Sequence, residues 1–325
     1  MVAAFLLVGG VGCLLQLTAP VYVSGEKVIT LPFDLHRRRE AQAEVAALFP
    51  RYTLWHWWAR YAVFPAGRYT VREGELAVRV WDRFRRGLQA AVRLYVRPMR
   101  GFGGLAGLLG RNLAHDSTTW ALAFQSYPWH EIGFDTRTWP LVFLPDVYEV
   151  YWTVSPSQLI DRMYKNYQRF WTAERKEKAR AIGLTPVEVG ILASIVEQET
   201  YQVSEMPLIA GVYLNRLRLG MPLQADPTVI FAVGNFSIAR VTHRMLEVDS
   251  PYNTYKRRGL PPGPIGIPSP QSIDAVLNYQ PSNYLYFCAR PDGSGYHDFS
   301  VSYTEHLQKA RRYQKALDRW LAQKR

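Results

Sequence analysis

The pattern of apolar and polar positions divides the chain into three kinds of segment. Residues 1–23 carry no charged side chain, residues 27–100 alternate short β-like runs with arginine-rich helical stretches, and the chain from about residue 150 onward is strongly helical. The first segment is close to the ~20 residues that a helix needs to cross a bilayer. The pattern predicts an α+β protein with an N-terminal membrane helix, a small α+β subdomain and a larger, mostly helical domain with some β structure.

The predicted membrane anchor has alternatives. Glycines at positions 9, 10 and 12 would weaken a helix buried in a water-soluble protein and are tolerated better in lipid, which favours an anchor over a core helix. A cleaved secretory signal stays open, although no basic residue precedes the apolar run. Lys27 and the run His36–Arg39 follow it, so the positive-inside rule alone would leave the rest of the chain in the cytoplasm.

Changes in this pattern place the domain boundaries. We predict an anchor over 1–23, a small module over 27–100, a connecting region over 101–143 and a larger domain over 144–325. Within the larger domain, Pro156–Arg180 has the pattern of one long amphipathic stretch, because its apolar and aromatic residues recur at helical spacing.

Composition limits the class of protein. The chain has 325 residues, of which 48% are hydrophobic, so it can bury a core and general disorder is excluded. Its two cysteines cannot build a disulfide framework or a four-thiolate zinc site, and we predict neither a metal nor another cofactor. The net charge of +12 suits an anionic surface or polymer. Because no nucleic-acid-binding motif accompanies this charge, nucleic acid is not a predicted partner.

One predicted helix carries the candidate chemistry. Thr185 can cap its start, Pro186 suits the first helical position, and Glu188 sits where the carboxylate of a capping box reaches back. Further along, four residues recur at the i, i+3, i+4 and i+7 spacing of one helix face. They are Leu192, Ile195, Val196 and Glu199. Glu199 therefore ends an apolar stripe, where its carboxyl group must lose part of its hydration.

This loss of hydration makes Glu199 a candidate general acid. Removal of water disfavours the charged carboxylate and raises its pKa toward the value that an acid needs near neutral pH. Glu197 lies about 200° around the helix from Glu199, so the two carboxyl groups cannot face one substrate as a pair. The alternative interpretation is that Glu199 is a structural carboxylate held in an ion pair.

Loops rich in proline, amides and hydroxyl groups follow this helix. Such loops suit a sugar site, although ordinary turns use the same residue types. Several runs in this order resemble the endolytic murein transglycosylase family, also called YceG-like. The runs are Ile195–Thr200, Asn215–Leu217, Gly220–Thr228, Ser250–Tyr255, Gly259–Gly263 and Tyr284–Phe287. The resemblance is continuous from about Leu144 to His306 and weaker, but visible, over Phe64–Gly87.

The resemblance implies a single-pass protein of the bacterial inner membrane whose extracytoplasmic domain acts on peptidoglycan glycan strands. Enzymes of this family cut between N-acetylmuramic acid and N-acetylglucosamine without consuming water and leave a 1,6-anhydromuramic end, which terminates nascent strands. The resemblance also implies a LysM-like fold for residues 27–100 and peptidoglycan synthases as partners. An extracytoplasmic domain conflicts with the positive-inside rule, because Lys27 and the run His36–Arg39 follow the predicted anchor. We give the family motifs more weight than this rule.

The resemblance also assigns roles to single residues. The second glutamate of the family's E-x-E-T motif is catalytic, and that position is Glu199, which the helical periodicity selects as well. The side chains expected to line the glycan groove are Gln224, Asp226, Tyr252, Asn253 and Tyr255. The side chains expected to support the site or to serve only the fold are Glu197, Asn215 and Arg216.

Two other functions stay open at this point. If Glu199 is only structural, the chain is a non-catalytic murein-binding scaffold of the cell-wall synthesis machinery. If a carboxylate from another loop, such as Asp226, acts with Glu199, the chain is a conventional glycan hydrolase. Residues 27–100 lack the glycine features expected of a LysM-like module, so glycan binding by that module is also left open.

Overall fold

The computed structural model describes residues 16, 18–51, 53–238 and 240–323. The chain forms two compact units that interleave along the sequence. The first unit is assigned to Met1–Leu94, Ala106–Ala123 and Val147–Leu159, and the second to Tyr95–Leu105, Phe124–Asp146 and Ile160–Arg325. Of the predicted connecting region 101–143, residues Ala106–Ala123 are assigned to the first unit and the rest to the second.

Helices dominate the secondary structure, and all strands are short. The α-helices are α1 (Leu35–Leu48), α2 (Leu54–Tyr61), α3 (Ala77–Arg85), α4 (Gly103–Asn112), α5 (Ser117–Ser126), α6 (Pro156–Phe170), α7 (Ala173–Ala181), α8 (Pro186–Glu199), α9 (Met206–Arg218), α10 (Asp226–Val233), α11 (His243–Leu246), α12 (Pro270–Leu277) and α13 (Tyr303–Gln323). The strands are β1 (Glu26–Leu31), β2 (Gly67–Arg72), β3 (Ala91–Val96), β4 (Met99–Arg100), β5 (Asp146–Tyr151), β6 (Gly266–Ile267), β7 (Tyr286–Ala289) and β8 (His297–Ser300). Single 3₁₀ turns are Trp129–Ile132, Trp139–Val142 and Val203–Glu205. This mixture of helix and strand confirms the predicted α+β class.

The first unit contains a core in the chain order β1, α1, α2, β2. The two strands pair antiparallel, from Glu26 opposite Arg72 to Leu31 opposite Gly67. Alternate side chains of β2 are buried, as in a strand with one face on a core. The large buried aromatic side chains of this core are Phe49, Phe64, Tyr69 and Phe84, the last of which comes from α3. The strands and helices predicted between residues 27 and 100 are present here, whereas the LysM-like character of the module stays a prediction.

The predicted anchor lies largely outside the described residues. Its last part, residues 19–23, runs as an extended segment along the first unit: the Val21 amide donates to the Glu75 carbonyl at 2.9 Å and the Tyr22 amide donates to the Leu48 carbonyl at 2.7 Å. Val21 is buried in the core of this unit. Residues 19–23 therefore belong to the folded module.

The described residues also give a finding about membrane-spanning helices. Among residues 16, 18–51, 53–238 and 240–323, no single helix combines the length and the apolar character needed to cross a bilayer. By length and composition alone, α7 and α8 pass that test as a pair, and they are bent by 77° relative to each other.

In the second unit, α8 lies at the centre of a helical core. Its start has the predicted capping box, in which Thr185 accepts a hydrogen bond from the Glu188 amide while the Glu188 carboxylate accepts one from the Thr185 amide. Every residue from Val189 to Val196 is buried, because α7, α9, α10 and α12 all pack against this helix. The buried surface of α8 is thus wider than the stripe that the sequence predicts, and it includes Ser194, whose hydroxyl donates to the Ile191 carbonyl and accepts from the Ile265 amide.

The stretch Pro156–Arg180, predicted as one amphipathic segment, is divided into two helices in the structure. It forms α6 and α7, which are separated at Trp171 and Thr172. The Thr172 hydroxyl accepts a hydrogen bond from the Arg175 amide and caps α7. Trp171 is buried at this corner. The side-chain cap at Thr172 competes with continuation of the helix, so the helix breaks there. The amphipathic pattern alone does not reveal the break, because it continues on both sides.

Gly211 in α9 allows the backbone of a neighbouring segment to approach closely. A Cβ at this position would lie 2.6 Å from the carbonyl oxygen of Gln280, so we expect Gly211→Ala to lower the free energy of unfolding by about 1–3 kcal/mol. Gly104→Ala in α4 is the matched control, because its Cβ would meet only Met99 Sδ at 3.9 Å. Denaturant unfolding followed by circular dichroism measures both variants. Equal stability of the two would contradict the close packing of α9.

Candidate active site

The second unit contains a cavity of about 450 Å³ at the C-terminal end of α8. Side chains from α8, α9, the loop before α10, the loop at Tyr255, the hairpin of β7 and β8, and the start of α13 surround it. The lining residues are Glu199, Tyr213, Arg216, Leu223, Gln224, Asp226, Tyr255, Tyr286, Phe287, Cys288, Ala289, His297, Tyr303 and His306. The cavity thus brings together residues that lie more than 100 positions apart in the chain.

Glu199 is the last residue of α8, and its side chain is half-buried at the cavity wall. The Tyr213 hydroxyl donates a hydrogen bond to its Oε1 atom. Burial raises the pKa of the Glu199 carboxyl group to about 7, and the negative charge of Asp226 acts in the same direction. The Tyr213 hydrogen bond and the positive charge of Arg216 oppose this rise in pKa. The protonated and ionised forms of Glu199 are therefore both populated near neutral pH.

Tyr213 holds the Glu199 carboxyl group from α9, and sequence reasoning missed it. Its side chain is buried, and burial together with the neighbouring Glu199 raises the pKa of its hydroxyl well above the ordinary value of 10.0. Tyr213 therefore stays a neutral hydrogen-bond donor at physiological pH. The only sequence signal is its spacing of three residues from Arg216, which places both on one face of α9.

Arg216 is buried and ties three chain segments together behind the cavity. Its guanidinium donates to the Leu285 and Leu223 carbonyls, at 2.7 Å each, and to Gln224 Oε1 at 3.2 Å. It also lies over the Tyr286 ring, with 5.1 Å from Cζ to the ring centroid. Burial lowers the pKa of Arg216 from 12.5. Arg216 thus fixes the loop before α10 against β7 while its charge faces the site.

Asp226 and Tyr255 form a second polar group in the cavity. The Tyr255 hydroxyl donates to Asp226 Oδ1 at 2.5 Å. Burial and this hydrogen bond raise the pKa of Tyr255 above its ordinary range, so Tyr255 stays neutral as well. The structure therefore places two of the predicted groove residues beside Glu199, with Asp226 engaged by a tyrosine donor.

Gln224 lines the cavity with an unusual backbone. Its φ of +52° makes it the one non-glycine residue in the left-handed region among the residues that the structure describes. Such a conformation is costly for a residue with a Cβ and is kept where neighbouring contacts fix it. Those contacts come from Thr254, whose carbonyl accepts from the Gln224 amide at 3.1 Å and whose hydroxyl accepts from the Ala225 amide at 3.0 Å.

The other predicted site residues do not line this cavity. The Asn253 amide group is turned inward and donates to the Leu246 and Val248 carbonyls, at 2.8 and 2.9 Å. The Tyr252 ring packs on Phe231, with 4.7 Å between centroids. Both residues shape the loop that presents Tyr255. Because proline-rich loops must satisfy their own backbone groups, a polar residue in such a loop can be structural.

Asn215 and Glu197 also serve contacts outside the cavity. Asn215 donates to the Ser282 and Tyr284 carbonyls, at 2.7 and 3.0 Å, and holds the segment that leads into β7. Glu197 accepts hydrogen bonds from the hydroxyl and the amide of Ser269, the residue that caps α12. Glu197 and Glu199 therefore point to different partners, as their angular separation on the helix predicts.

Aromatic and imidazole groups complete the lining of the cavity. The Tyr286 and His306 rings stack, with 5.4 Å between centroids and an interplanar angle of 25°. Burial lowers the pKa of His306, and its Nδ1 atom is buried with no hydrogen-bond partner among the described residues. His297 is held by Glu205, whose carboxylate lies 2.7 Å from the ring Nδ1 atom. Among the described residues, no group of three or more His, Cys, Asp or Glu side chains is arranged to hold a metal ion.

Comparison with known proteins identifies the family. The sequence profile of the YceG-like family matches residues 38–312, which is most of the chain. The chain belongs to the YceG-like family. A YceG-like protein of Listeria monocytogenes with a known crystal structure superposes with a TM-score of 0.56 over 87% of this chain and 98% of that chain. The identity is 24%, so this likeness shows the fold alone.

Curated relatives match shorter stretches. Over 122 residues the chain is 42% identical to the endolytic murein transglycosylase of Bacillus subtilis strain 168, covering 38% of this chain and 33% of that protein. Over 173 residues it is 34% identical to the protein of the same name from Streptococcus pneumoniae serotype 2, strain D39, covering 51% of this chain and 30% of that protein. This member of the YceG-like family thus spans about a third of the length of the curated relatives it matches.

The raised pKa of Glu199 predicts a stability change that depends on pH. The folded-state pKa of about 7 lies above the ordinary value of 4.5, so ionisation destabilises the folded state increasingly as the pH rises from 4.5 to 7 and constantly above 7. Glu199→Gln removes this cost. We expect the variant to be more stable than the native chain by about 1–3 kcal/mol at pH 8 and to lose that gain near pH 4.5. Calorimetric melting at both pH values measures the difference, and a difference independent of pH would contradict the raised pKa.

Proposed function

We propose that this protein is an endolytic lytic transglycosylase of peptidoglycan. It would cleave the bond between N-acetylmuramic acid and N-acetylglucosamine within glycan strands, leave a 1,6-anhydromuramic end, and so terminate nascent strands as a carbon–oxygen lyase. The observation that carries the proposal is the Glu199 carboxyl group, which burial brings to a pKa of about 7 in an open cavity. The names of the curated relatives support the substrate class.

The reaction needs one carboxyl group that both gives and takes a proton. Protonated Glu199 donates its proton to the glycosidic oxygen as the bond to the muramic anomeric carbon breaks, which leaves N-acetylglucosamine with a free hydroxyl group. The resulting Glu199 carboxylate then takes the proton of the muramic 6-hydroxyl, whose oxygen bonds to the anomeric carbon. The 2-acetamido group of the substrate stabilises the positive charge between these two events. A pKa near 7 allows both transfers at neutral pH.

The neighbouring groups suit this cycle. Because Tyr213 donates to Oε1, the transferable proton of Glu199 is left to Oε2. Tyr213 and Tyr255 both have raised pKa values, so neither competes as an acid near neutral pH. The positive charge of Arg216 balances the carboxylate that forms during the reaction. Because the Tyr255 hydroxyl engages the Asp226 carboxylate, Glu199 is the carboxyl group left to transfer protons, which favours internal attack by a substrate hydroxyl over activation of water by a second carboxylate.

The cavity wall offers the contacts that a sugar chain needs. The stacked rings of Tyr286 and His306 present an aromatic edge to the cavity. Gln224 presents an amide from a fixed backbone position. Hydrogen bonding to hydroxyl and acetamido groups together with ring stacking is the usual chemistry of carbohydrate sites.

We propose further that the uncharged residues before the folded segment 19–23 contribute a single-pass anchor in the inner membrane, shorter than the predicted 1–23, and that the second unit works on its extracytoplasmic side, where peptidoglycan lies. Peptidoglycan synthases are the partners that such a role would require, since a strand can be terminated only where it is being made. The net charge of +12 favours contact with the anionic wall polymer and with lipid headgroups. Protease digestion of spheroplasts tests the orientation, and a protected second unit would contradict it.

Glu199→Gln tests the proposed chemistry. The variant keeps the shape of the side chain and can still accept from Tyr213, but it cannot transfer a proton, so we expect release of anhydro-muropeptides from purified sacculi to fall by at least about 10³-fold. Glu188→Gln is the matched control, because it makes the same change at the opposite end of α8 in a capping box that glutamine also supports. Native activity in the Glu199 variant would overturn the assignment.

The products of the same digestion separate the alternative functions. Incubation in ¹⁸O-labelled water followed by mass spectrometry is expected to give unlabelled anhydro ends. Incorporation of label at the reducing end would instead indicate a hydrolase that uses Asp226 as its second carboxylate. No cleavage by the native chain would indicate a murein-binding scaffold in which Glu199 is structural.

Tyr213→Phe tests whether this tyrosine positions the acid. Its hydrogen bond lowers the pKa of Glu199, so its removal is expected to move the alkaline limb of the kcat/KM profile to higher pH and to reduce kcat about tenfold through loss of orientation. Tyr127→Phe is the control, because Tyr127 donates a similar bond, at 2.7 Å, to Asp161 outside the cavity. An unchanged pH profile in Tyr213→Phe would contradict a positioning role.

A further inference from the structure

Helix α2 in the first unit presents a row of large apolar side chains to solvent. Leu54, Trp57, Trp58 and Tyr61 recur at the i, i+3, i+4 and i+7 spacing and are 50%, 54%, 49% and 79% exposed. We call these four residues the aromatic stripe. Ala59 in the core and Trp55 beside it hold the buried side of α2, and Trp58 of the stripe also contacts Trp81 of α3, with 5.9 Å between ring centroids. About half or more of each stripe side chain is nevertheless exposed, so its own unit leaves most of the aromatic stripe uncovered.

A positively charged groove adjoins the aromatic stripe. It has a volume of about 710 Å³ beside α1 and α2, and Trp57 belongs to both the groove and the stripe. Arg51 and Arg60 line the groove, both are exposed, and neither forms an ion pair within the described part of the chain. Helix α2 itself contains no acidic residue. Two unpaired guanidinium groups beside exposed tryptophan suit an anionic partner with an apolar layer beneath its charges.

The chain enters the fold at the start of this same helix. The Leu54 amide donates to Gln16 Oε1 at 2.7 Å, and Trp55 Nε1 donates to the Gln16 carbonyl at 2.6 Å. In the sequence, the 15 residues before Gln16 contain no charged side chain. Because Gln16 itself lies at the N-terminal end of α2, a bilayer that holds the residues just before Gln16 would be close to the aromatic stripe.

We propose that the aromatic stripe, with Arg51 and Arg60, binds the interfacial layer of the phospholipid bilayer in which residues 1–15 are anchored. Trp and Tyr are favoured at that depth, where the ring contacts acyl chains and the polar atom reaches water. The two arginines bind lipid phosphate groups from the groove side. Because the anchor already tethers the unit, even weak contacts keep α2 on the lipid surface. The proposal depends on the proposed anchor but not on the proposed chemistry of Glu199.

A second copy of the chain or another protein is a less suitable occupant. A protein partner would have to bind the aromatic stripe while the proposed anchor holds that surface beside lipid. Such a partner would also need acidic groups to pair with Arg51 and Arg60. The membrane surface supplies phosphate groups and an apolar layer at the same place. The positive charges of Arg51 and Arg60 and the position of Gln16 therefore both favour lipid as the occupant.

Depth measurement on the full chain tests the proposal. The chain carries Cys13→Ala and Cys288→Ala, receives one new cysteine, is labelled with the fluorophore NBD, and is placed as single copies in nanodiscs of phosphatidylethanolamine and phosphatidylglycerol. The test positions are Trp57→Cys and Tyr61→Cys. The control is Arg79→Cys, which is exposed and lies about 160° around α3 from Trp81, the residue of that helix that contacts the α2 rings.

Lipids with a nitroxide at the headgroup are expected to quench the probes at 57 and 61 at least threefold more than the probe at 79. Discs of phosphatidylcholine alone should reduce this quenching about twofold, because anionic lipid attracts Arg51 and Arg60. Co-purification with discs but equal quenching at all three positions would overturn the proposal while leaving the anchor intact. A probe shift that appears only in detergent and grows with protein concentration would indicate a second copy instead. Failure to co-purify with the discs would overturn the anchor and the proposal together, without bearing on Glu199.

Discussion

The desolvation of one carboxyl group is the constraint on which the candidate site depends. Glu199 ends α8, in which the eight consecutive residues from Val189 to Val196 are all buried. A central helix packed on several sides fixes where its last side chain emerges, and Tyr213 fixes how the carboxyl group is turned. Burial then sets the pKa to about 7. The helical core and the chemical property of the site are thus two consequences of the same packing.

The rest of the cavity is assembled by polar side chains that hold loops in place. Arg216 joins the loop before α10 to β7, Asn215 holds the segment before β7, and Thr254 fixes the backbone of Gln224. Arg216 and Asn215 act through side-chain hydrogen bonds to backbone carbonyls, and Thr254 acts through its own carbonyl and hydroxyl groups, which accept from the Gln224 and Ala225 amides. Loops have no helix or sheet ladder of their own, so side chains must satisfy their carbonyl groups. Rigid loops around one acid are what pre-organised catalysis requires.

The two units divide the physical tasks of the chain. The second unit contains the buried acid and its fixed donors, whereas the first unit carries an exposed aromatic helix, unpaired arginines and the entry of the uncharged N-terminal residues. A solvated aromatic surface would be a liability on a freely soluble domain. The polar cavity and the exposed aromatic stripe thus lie in different units of the chain.

Local patterns in the sequence determined the α+β class, the capping box at Thr185, the position of Glu199 on its helix and the separation of Glu197 from it, because these follow from spacing along one element. Ordered motifs pointed to the YceG-like family for the same reason. Only the tertiary structure decided that Tyr213 holds Glu199, that Gln224, Asp226 and Tyr255 reach the cavity, and that Asn253 turns inward. Whether a polar side chain in a loop faces a cavity or a carbonyl group depends on which distant segment packs beside it, and spacing along the chain does not contain that information.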